Sequence, residues 1–177
     1  MSCTKSEDRI NSVYINSDEA DIQQLNGTVL LNGEPFTGTL YTLFPGTTDD
    51  TVRIVRYLVG KEHGIWKQFY PGGQLLDQRE FSRGQKVGDL VAWWKNGTKK
   101  LHYHFENDEY EGTCREWNEE GTLVQEMNYH QGHEEGPQKM FYDNGKIRSN
   151  YIIRDGRRYG LLGTKNCVNV SDSVFIK

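Results

Sequence analysis

The chain has 177 residues, a length typical of one domain with a real hydrophobic core. Hydrophobic residues make up 35%, aromatic residues 12%, and 19 glycines occur, which favours an elongated sheet with frequent turns over a compact globule. The formal net charge of −4 and the lack of a basic stripe exclude a typical nucleic-acid-binding protein. No stretch approaches about 18 apolar residues, so no membrane-spanning helix is predicted.

Residues 1–25 form a polar, acidic lead that differs from the rest of the chain. Five acidic residues against Lys5 and Arg9 give this lead three of the four net negative charges. Cys3, followed by small polar and acidic residues, is similar to the start of a mature bacterial lipoprotein. Two interpretations stay open. In one, an export signal has been removed, Cys3 carries a lipid and the lead is a tether; in the other, this is an ordinary cytoplasmic amino terminus.

Residues 26–63 predict a degraded first repeat that also caps the array. Asn26-Gly27 and Asn32-Gly33 are hairpin turn signals, and residues 51–57 alternate as a strand should. The spacing differs from that of the later repeats because residues 45–50 lengthen one turn. Irregular terminal units are typical of repeat proteins.

One motif occurs four times between Gly64 and Gly160, with its opening glycines 24 residues apart. A large aromatic residue follows each opening glycine by five positions, and a second glycine follows it by nine. The aromatic residues are Phe69, Trp93, Trp117 and Phe141, and the second glycines are Gly73, Gly97, Gly121 and Gly145. Two of the second glycines follow asparagine, which predicts a hairpin turn with positive φ at both central residues.

A second run in each copy alternates apolar and polar side chains, as a strand with one buried face does. The runs end in Phe81, Phe105, Tyr129 and Ile153, and a further turn signal follows each of them. Each copy is therefore predicted to be a β-hairpin that leads into the next through a tight turn. In the third copy, Asn118, Glu119 and Glu120 replace the usual tip residues, so we expect a looser tip there.

The predicted fold class is all-β: an elongated, twisted antiparallel meander of repeated β-hairpins with a 24-residue period. Residues 26–177 form the single repeat domain, and residues 64–160 hold the four complete repeats. Residues 161–177 are predicted to cap the last sheet edge, because an open edge invites aggregation.

The pattern Gly-x-x-x-x-aromatic-aromatic-x-x-Gly resembles the MORN repeat, and more closely its bacterial variant in multi-copy proteins often labelled antitoxin-like. The resemblance covers Gly64 to Gly160 well and Gly38 to Gly64 as a degraded copy. It implies a scaffold or binding module, with some members described as membrane-associated and some as antitoxins. It implies no catalytic residues.

A second set of aromatic residues alternates with the aromatic residues that follow each opening glycine by five positions. Each face of the sheet is therefore predicted to carry one aromatic row. Either one row is exposed and binds a protein, peptide or glycan, or curling of the sheet buries both rows. Two arginines in the least repeat-like segment could meet an anionic partner. The candidate partner-binding residues are Trp66, Tyr70, Trp94, Tyr142, Arg157 and Arg158.

His102 and His104 lie two apart on a predicted strand, so both side chains project from one face, and His130 has the same parity one repeat later. With Cys114 they could hold copper or zinc, which imidazole and thiolate ligands suit. The alternative is that all of them are polar residues of a solvated face. No other cofactor is predicted.

The three cysteines form no Cys-x-x-Cys pair. In an exported protein Cys114 and Cys167 could form a disulfide, with Cys3 left for the lipid, whereas in the cytoplasm both would be free thiols. The acid–base candidates Glu134 and Glu135 have no nucleophile at a fixed spacing, so no enzyme activity is predicted.

The sequence therefore favours a non-enzymatic interaction or scaffold module that presents an aromatic-lined sheet face to another protein. We expect it at the bacterial cell envelope as a periplasmic or surface lipoprotein, with membrane contact only through Cys3. One alternative is a metal-binding or redox accessory protein that uses His102, His104 and a cysteine. Another is a cytoplasmic antitoxin-like protein that masks a toxin. No particular oligomeric state is predicted.

Overall fold

The computed structural model describes residues 13–163, and within these residues every regular element is a β-strand. The first nine strands are β1 (Tyr14–Asn16), β2 (Ile22–Leu25), β3 (Thr28–Leu31), β4 (Glu34–Pro35), β5 (Gly38–Leu43), β6 (Thr51–Leu58), β7 (Lys61–Glu62), β8 (Gly64–Phe69) and β9 (Leu75–Ser82). The next nine are β10 (Gln85–Trp93), β11 (Lys99–Glu106), β12 (Glu109–Tyr110), β13 (Gly112–Trp117), β14 (Leu123–His130), β15 (His133–Glu134), β16 (Gly136–Phe141), β17 (Ile147–Arg154) and β18 (Arg157–Leu161). The described part of the chain thus holds no helix able to cross a membrane.

Fifteen of these strands form one sheet in the order β1-β5-β6-β8-β9-β10-β11-β13-β14-β16-β17-β18, with β7, β12 and β15 beside β6, β11 and β14. Every pairing in it is antiparallel except that of β1 with β5, which is parallel. The predicted all-β meander of repeated hairpins is confirmed.

The opening glycine of each repeat lies opposite the large residue that ends the second strand. The pairs are Gly64 with Phe81, Gly88 with Phe105, Gly112 with Tyr129 and Gly136 with Ile153. A Cβ at Gly112 or Gly136 would have no atom within 4 Å, so room for the facing side chain does not require glycine. These four glycines have φ between 62° and 76°, which other residues rarely adopt. The motif therefore begins with glycine because the backbone there is left-handed.

Each repeat joins the next with a shift of two residues in the strand register. Tyr57 pairs with Glu62 and Ile54 pairs with Lys67. The stretch from β7 into β8 therefore holds two residues more than the stretch of β6 that it faces. The same shift occurs in β10 between Val87 and Val91. Bulges of this kind bend a strand and increase its twist, so the sheet curls and one face becomes more enclosed.

The turns at the hairpin tips differ from those predicted from the sequence. Asn-Gly at the hairpin tips does not give two positive φ angles, since at Asn96-Gly97 only the glycine has one. Gly97 N–H donates to Trp94 O and Trp94 N–H to Thr98 O, which makes a three-residue loop with glycine in the left-handed region. Lys95 ahead of the Asn-Gly pair lengthens this loop, so the prediction for the tips was wrong.

Two consecutive positive φ angles occur at the Gly72-Gly73 tip and in all the turns that link one hairpin to the next, here called the handover turns. The handover turns are Val59-Gly60, Arg83-Gly84, Asn107-Asp108, Gln131-Gly132 and Asp155-Gly156. They have the two-residue geometry that matches the twist of the flanking strands.

The tip of the third copy is not looser than the others. Gly121 N–H donates to Asn118 O at 3.0 Å, and Asn118 N–H donates to Thr122 O at 3.0 Å, as at the other tips. The Asn118 side chain also accepts the Thr122 N–H at 2.8 Å, which supports the turn in place of an aromatic residue.

A three-stranded sheet of β2, β3 and β4 packs against the start of the long sheet. Val29, Phe36 and Leu40 form the buried cluster between them, with Tyr57 packed against it. Backbone bonds join the two parts at Gly60, which donates to Phe36 O at 2.7 Å and accepts from Val29 N–H at 2.8 Å.

The other end of the sheet is built more simply. Strands β17 and β18 pair in one continuous register, from Arg154 with Arg157 to Asn150 with Leu161, and lack the two-residue shift. All five residues of β18 are exposed. Residues 164–177, which make up most of the predicted cap, lie outside the described residues.

Candidate interaction surface

Burial divides the long sheet into two unlike faces. Strand alternation and cross-strand pairing place every buried residue of 61–163 on one face, which we call the packed face. These residues are Asp77, Phe81, Ala92, Phe105, Cys114, Met127, Gln138, Ser149, Tyr151 and Ile153. The opposite side, which holds the alternate residues, is here called the open face.

Gln138 is a polar side chain of the packed face whose hydrogen-bonding groups all have partners. The side chain is fully buried, and its amide donates to Asn128 O at 2.8 Å and to Glu135 O at 3.2 Å. Its carbonyl oxygen accepts the Asn128 N–H at 2.9 Å. A single side chain therefore completes the backbone bonds at the two-residue shift between β14 and β16.

Several of the predicted partner-binding aromatics make contacts inside the array. Trp66 lies on the packed face, paired with Arg79, whose guanidinium carbon is 4.5 Å from the centre of the Trp66 ring. The Tyr70 hydroxyl donates to Trp93 O at 3.1 Å, and the Trp94 indole N–H donates to Trp117 O at 2.9 Å. Tyr70 and Trp94 thus join one repeat to the next, whereas Trp66 contacts its own hairpin; the partner-binding role of all three stays a prediction.

The remaining candidates lie in the last repeat. Tyr142 is 42% exposed at the hairpin tip. Arg157 is exposed on β18. Arg158 contacts Glu134 at 3.0 Å, and its guanidinium carbon is 5.3 Å from the centre of the Tyr151 ring. Of the two arginines, Arg158 is thus engaged within the sheet.

The predicted metal ligands do not all come together. His102 and His104 lie on the open face, where Asp89 bridges them: His104 Nδ1 is 2.7 Å from one carboxylate oxygen and His102 Nε2 is 3.4 Å from the other. The hydrogen bond to His104, with that to His102, lowers the pKa of Asp89. Among residues 13–163 no group of three His, Cys, Asp or Glu residues is arranged to hold a metal ion.

Cys114 and His130 are both separate from this pair. Cys114 lies on the packed face and is 2% exposed, so the proposed ligand set with His102 and His104 is wrong for this cysteine. His130 shares the open face, but its Nδ1 contacts Glu111 at 3.1 Å, and this contact raises the pKa of His130. The predicted ligand group rested on strand alternation. Alternation decides on which face of its own strand a residue lies, but it does not bring residues on different strands together.

Cys114 is expected to be an unreactive thiol in the folded protein. Burial, with a smaller contribution from the nearby Glu116 carboxylate, raises its pKa to about 11, so the thiolate is scarce at neutral pH. Iodoacetamide should therefore label Cys114 at least about tenfold more slowly in the native protein than in denaturant. Peptide mass spectrometry at timed intervals measures this rate, and equal rates in both conditions would contradict the buried position. Cys3 and Cys167 lie outside the described residues, so the lipid and the disulfide stay predictions.

The aromatic row at offset five lies along the open face. Alternation along each first strand places these residues opposite to the packed face, and each is half-buried. The row consists of Phe69, Trp93, Trp117 and Phe141. The Lys99 ammonium lies 5.6 Å from the centre of the Trp117 ring, so a cation already covers part of that ring.

A cleft marks the start of this row. Ile54 and Phe69 line a cavity of about 520 Å³, together with Asp49, Asp50 and the Gly72-Gly73 backbone. The Asp50 carboxylate accepts the Gly72 N–H at 3.1 Å, which ties the long turn before β6 to the next hairpin tip. The open face thus carries both an aromatic row and a recess.

Sequence reasoning missed the acidic partners of the histidines. Asp89 faces His104 because Gly88 pairs with Phe105, and the next residue along each strand is then fixed. That register could have been derived from the glycine and aromatic spacing. Gln138 gave no such signal, because the equivalent positions hold Trp66, Leu90 and Cys114.

Three segments of the chain match a family model described as MORN repeat variant: residues 62–82, 110–131 and 134–151. These segments coincide with hairpins of the long sheet, and they confirm the resemblance derived from the motif. No curated protein matches the chain.

Proposed function

We propose that this chain, which carries MORN repeat variants, is a non-enzymatic interaction module that binds another protein through its open face. MORN repeats are in general modules that contact proteins or membranes, and the proposal narrows that role to one surface. The partner is a protein with an apolar patch flanked by polar groups, since this is what a row of half-buried aromatics on a charged sheet fits.

The observation that carries the proposal is the one-sided burial of the sheet. Between residues 61 and 163 the fully buried side chains all lie on the packed face, while those of the open face are half-buried or exposed. A face that keeps solvent access along its length can meet a partner without unfolding the array. The residues that repeat there can contact an extended surface at regular intervals.

The aromatic row supplies side chains suited to such binding. Trp and Tyr dominate protein interfaces because they bury a large area while losing little conformational freedom. Trp93 and Trp117 occupy the middle of the row, on strands β10 and β13, so both could lie under one partner. The neighbouring polar residues, among them His102, His104 and Arg115, would form its rim.

The test is a comparative capture experiment with the double variant Trp93→Ser/Trp117→Ser. Immobilised wild type is incubated with extract from the source cells, and bound proteins are quantified by isotope-labelled mass spectrometry. We expect at least one protein enriched on wild type and reduced about tenfold or more on the double variant, because two central anchors are lost. No enriched protein, or equal capture by both forms, would overturn the proposal.

Trp94→Phe is the matched control. It removes the indole donor to Trp117 O but leaves the open face intact. We expect it to lower Tm by a few degrees, as the loss of one hydrogen bond of about 1 kcal/mol implies, while capture stays at the wild-type level. Circular dichroism of all three proteins at the capture temperature shows whether each is folded.

A further inference from the structure

The two ends of the long sheet carry opposite charge. Residues 13–52 contain six acidic residues and no lysine or arginine, whereas residues 137–163 contain six lysines and arginines against two acidic residues. The first segment includes β1 and β5, which begin the strand order, and the second includes β17 and β18, which end it. The array thus has an acidic end and a basic end.

Both ends are sheet edges in the described part of the chain. There, β1 pairs only with β5 and β18 only with β17. An edge strand presents unpaired backbone N–H and C=O groups, which can accept a further strand. Asp18 and Asp21 are exposed beside the first edge, and Arg154 and Arg157 are exposed at the second.

Apolar side chains accompany these charges on the same face of the sheet. Tyr14 pairs with Thr39 on the open face and is 59% exposed. At the other end Tyr159 pairs with Ile152, also on the open face, and these residues are 55% and 43% exposed. When a sheet continues from one molecule into another, residues on one face of each can form one surface.

We propose that copies of this chain join head to tail, with the basic edge at β18 of one copy against the acidic edge at β1 of the next. Pairing of two β18 edges would bring like charges together, which disfavours a symmetric dimer. A contact between unlike edges leaves one edge of each kind free, so the contact repeats and the assembly grows in a line. It uses the ends of the sheet and leaves the central open face to the partner.

Sedimentation velocity of the full chain over a range of concentrations and salt tests the proposal. Wild type is expected to shift to larger species as concentration rises and to return to monomer at high salt, because charge pairing is screened. Two variants reverse one edge each: Arg154→Glu/Arg157→Glu and Asp18→Lys/Asp21→Lys. Each alone carries two edges of like charge, so each is expected to stay monomeric.

Mixing the two variants in equal amounts is the decisive step. Each reversed edge then meets a complementary edge on the other variant, so large species should reappear. Arg83→Glu/Lys95→Glu, which reverses two exposed turn residues away from both edges, should assemble as wild type does. Monomeric wild type at every concentration, or a mixture that stays monomeric while both variants are folded by circular dichroism, would overturn the proposal. That result would leave capture by the open face untouched, so the two proposals fail separately.

Discussion

Replacing Gly60 with alanine is expected to lower the stability of the protein by about 3 kcal/mol, or roughly 6–12 °C in Tm. Gly60 has φ of +73°, where an L side chain adds about 1–2 kcal/mol of strain. A Cβ there would clash with Thr28 Cγ2 and would lie 2.8 Å from Val29 O. The cap strands must move, and the bonds of Gly60 to Phe36 and Val29 weaken.

Gly156→Ala is the matched control for this change. Gly156 occupies the same place in the last handover turn, with φ of +70°, but nothing lies within 4 Å of the point where a Cβ would stand. Only backbone strain of about 1 kcal/mol is expected. Thermal unfolding followed by circular dichroism compares the two variants, and equal losses would show that the cap does not rest on Gly60.

Gln138→Leu is expected to destabilise the protein by about 3–4 kcal/mol. Leucine fills a similar volume but leaves the Asn128 N–H and the Asn128 and Glu135 carbonyl groups without the partner that Gln138 supplies. The half-buried Asn128 N–H is left without an acceptor, whereas Asn128 O keeps the Glu135 N–H at 2.9 Å, so the lost acceptor is the main contribution. Urea denaturation of the wild type and the variant measures the difference.

Gln125→Leu provides the comparison on the same face. Gln125 is half-buried and makes a single 3.3 Å contact with Glu116, so a loss under about 1 kcal/mol is expected. If the two leucine variants lose the same stability, the three bonds of Gln138 do not hold the junction between β14 and β16.

The order of strands could be predicted because the repeat period encodes it. An opening glycine and a large residue seventeen positions later fix one cross-strand pair per hairpin, as Gly88 and Phe105 show. The turn types could not be derived in the same way. Asn-Gly suits two turn geometries, and Lys95 decided between them by lengthening the loop.

The candidate site was less accessible from the sequence than the fold. Alternation separates the two aromatic rows, but it does not say which one the curled sheet encloses, and Trp66 and Trp94 turned out to contact their own array. Cys114 and His104 are close in sequence yet lie on opposite faces of adjacent strands. Deciding which residues of different strands share a face requires the pairing register, including the two-residue shifts. The amino-acid composition does not reveal these shifts.

The meander order also determines how the chain can fold. In the long sheet, each strand from β6 to β18 pairs only with strands close to it in sequence, so the distances along the chain between paired residues stay short. Low contact order of this kind favours fast folding, and it lets a structure begin at one hairpin and extend to its neighbours. During synthesis, each hairpin can add to the previous one as it leaves the ribosome, before the rest of the chain exists.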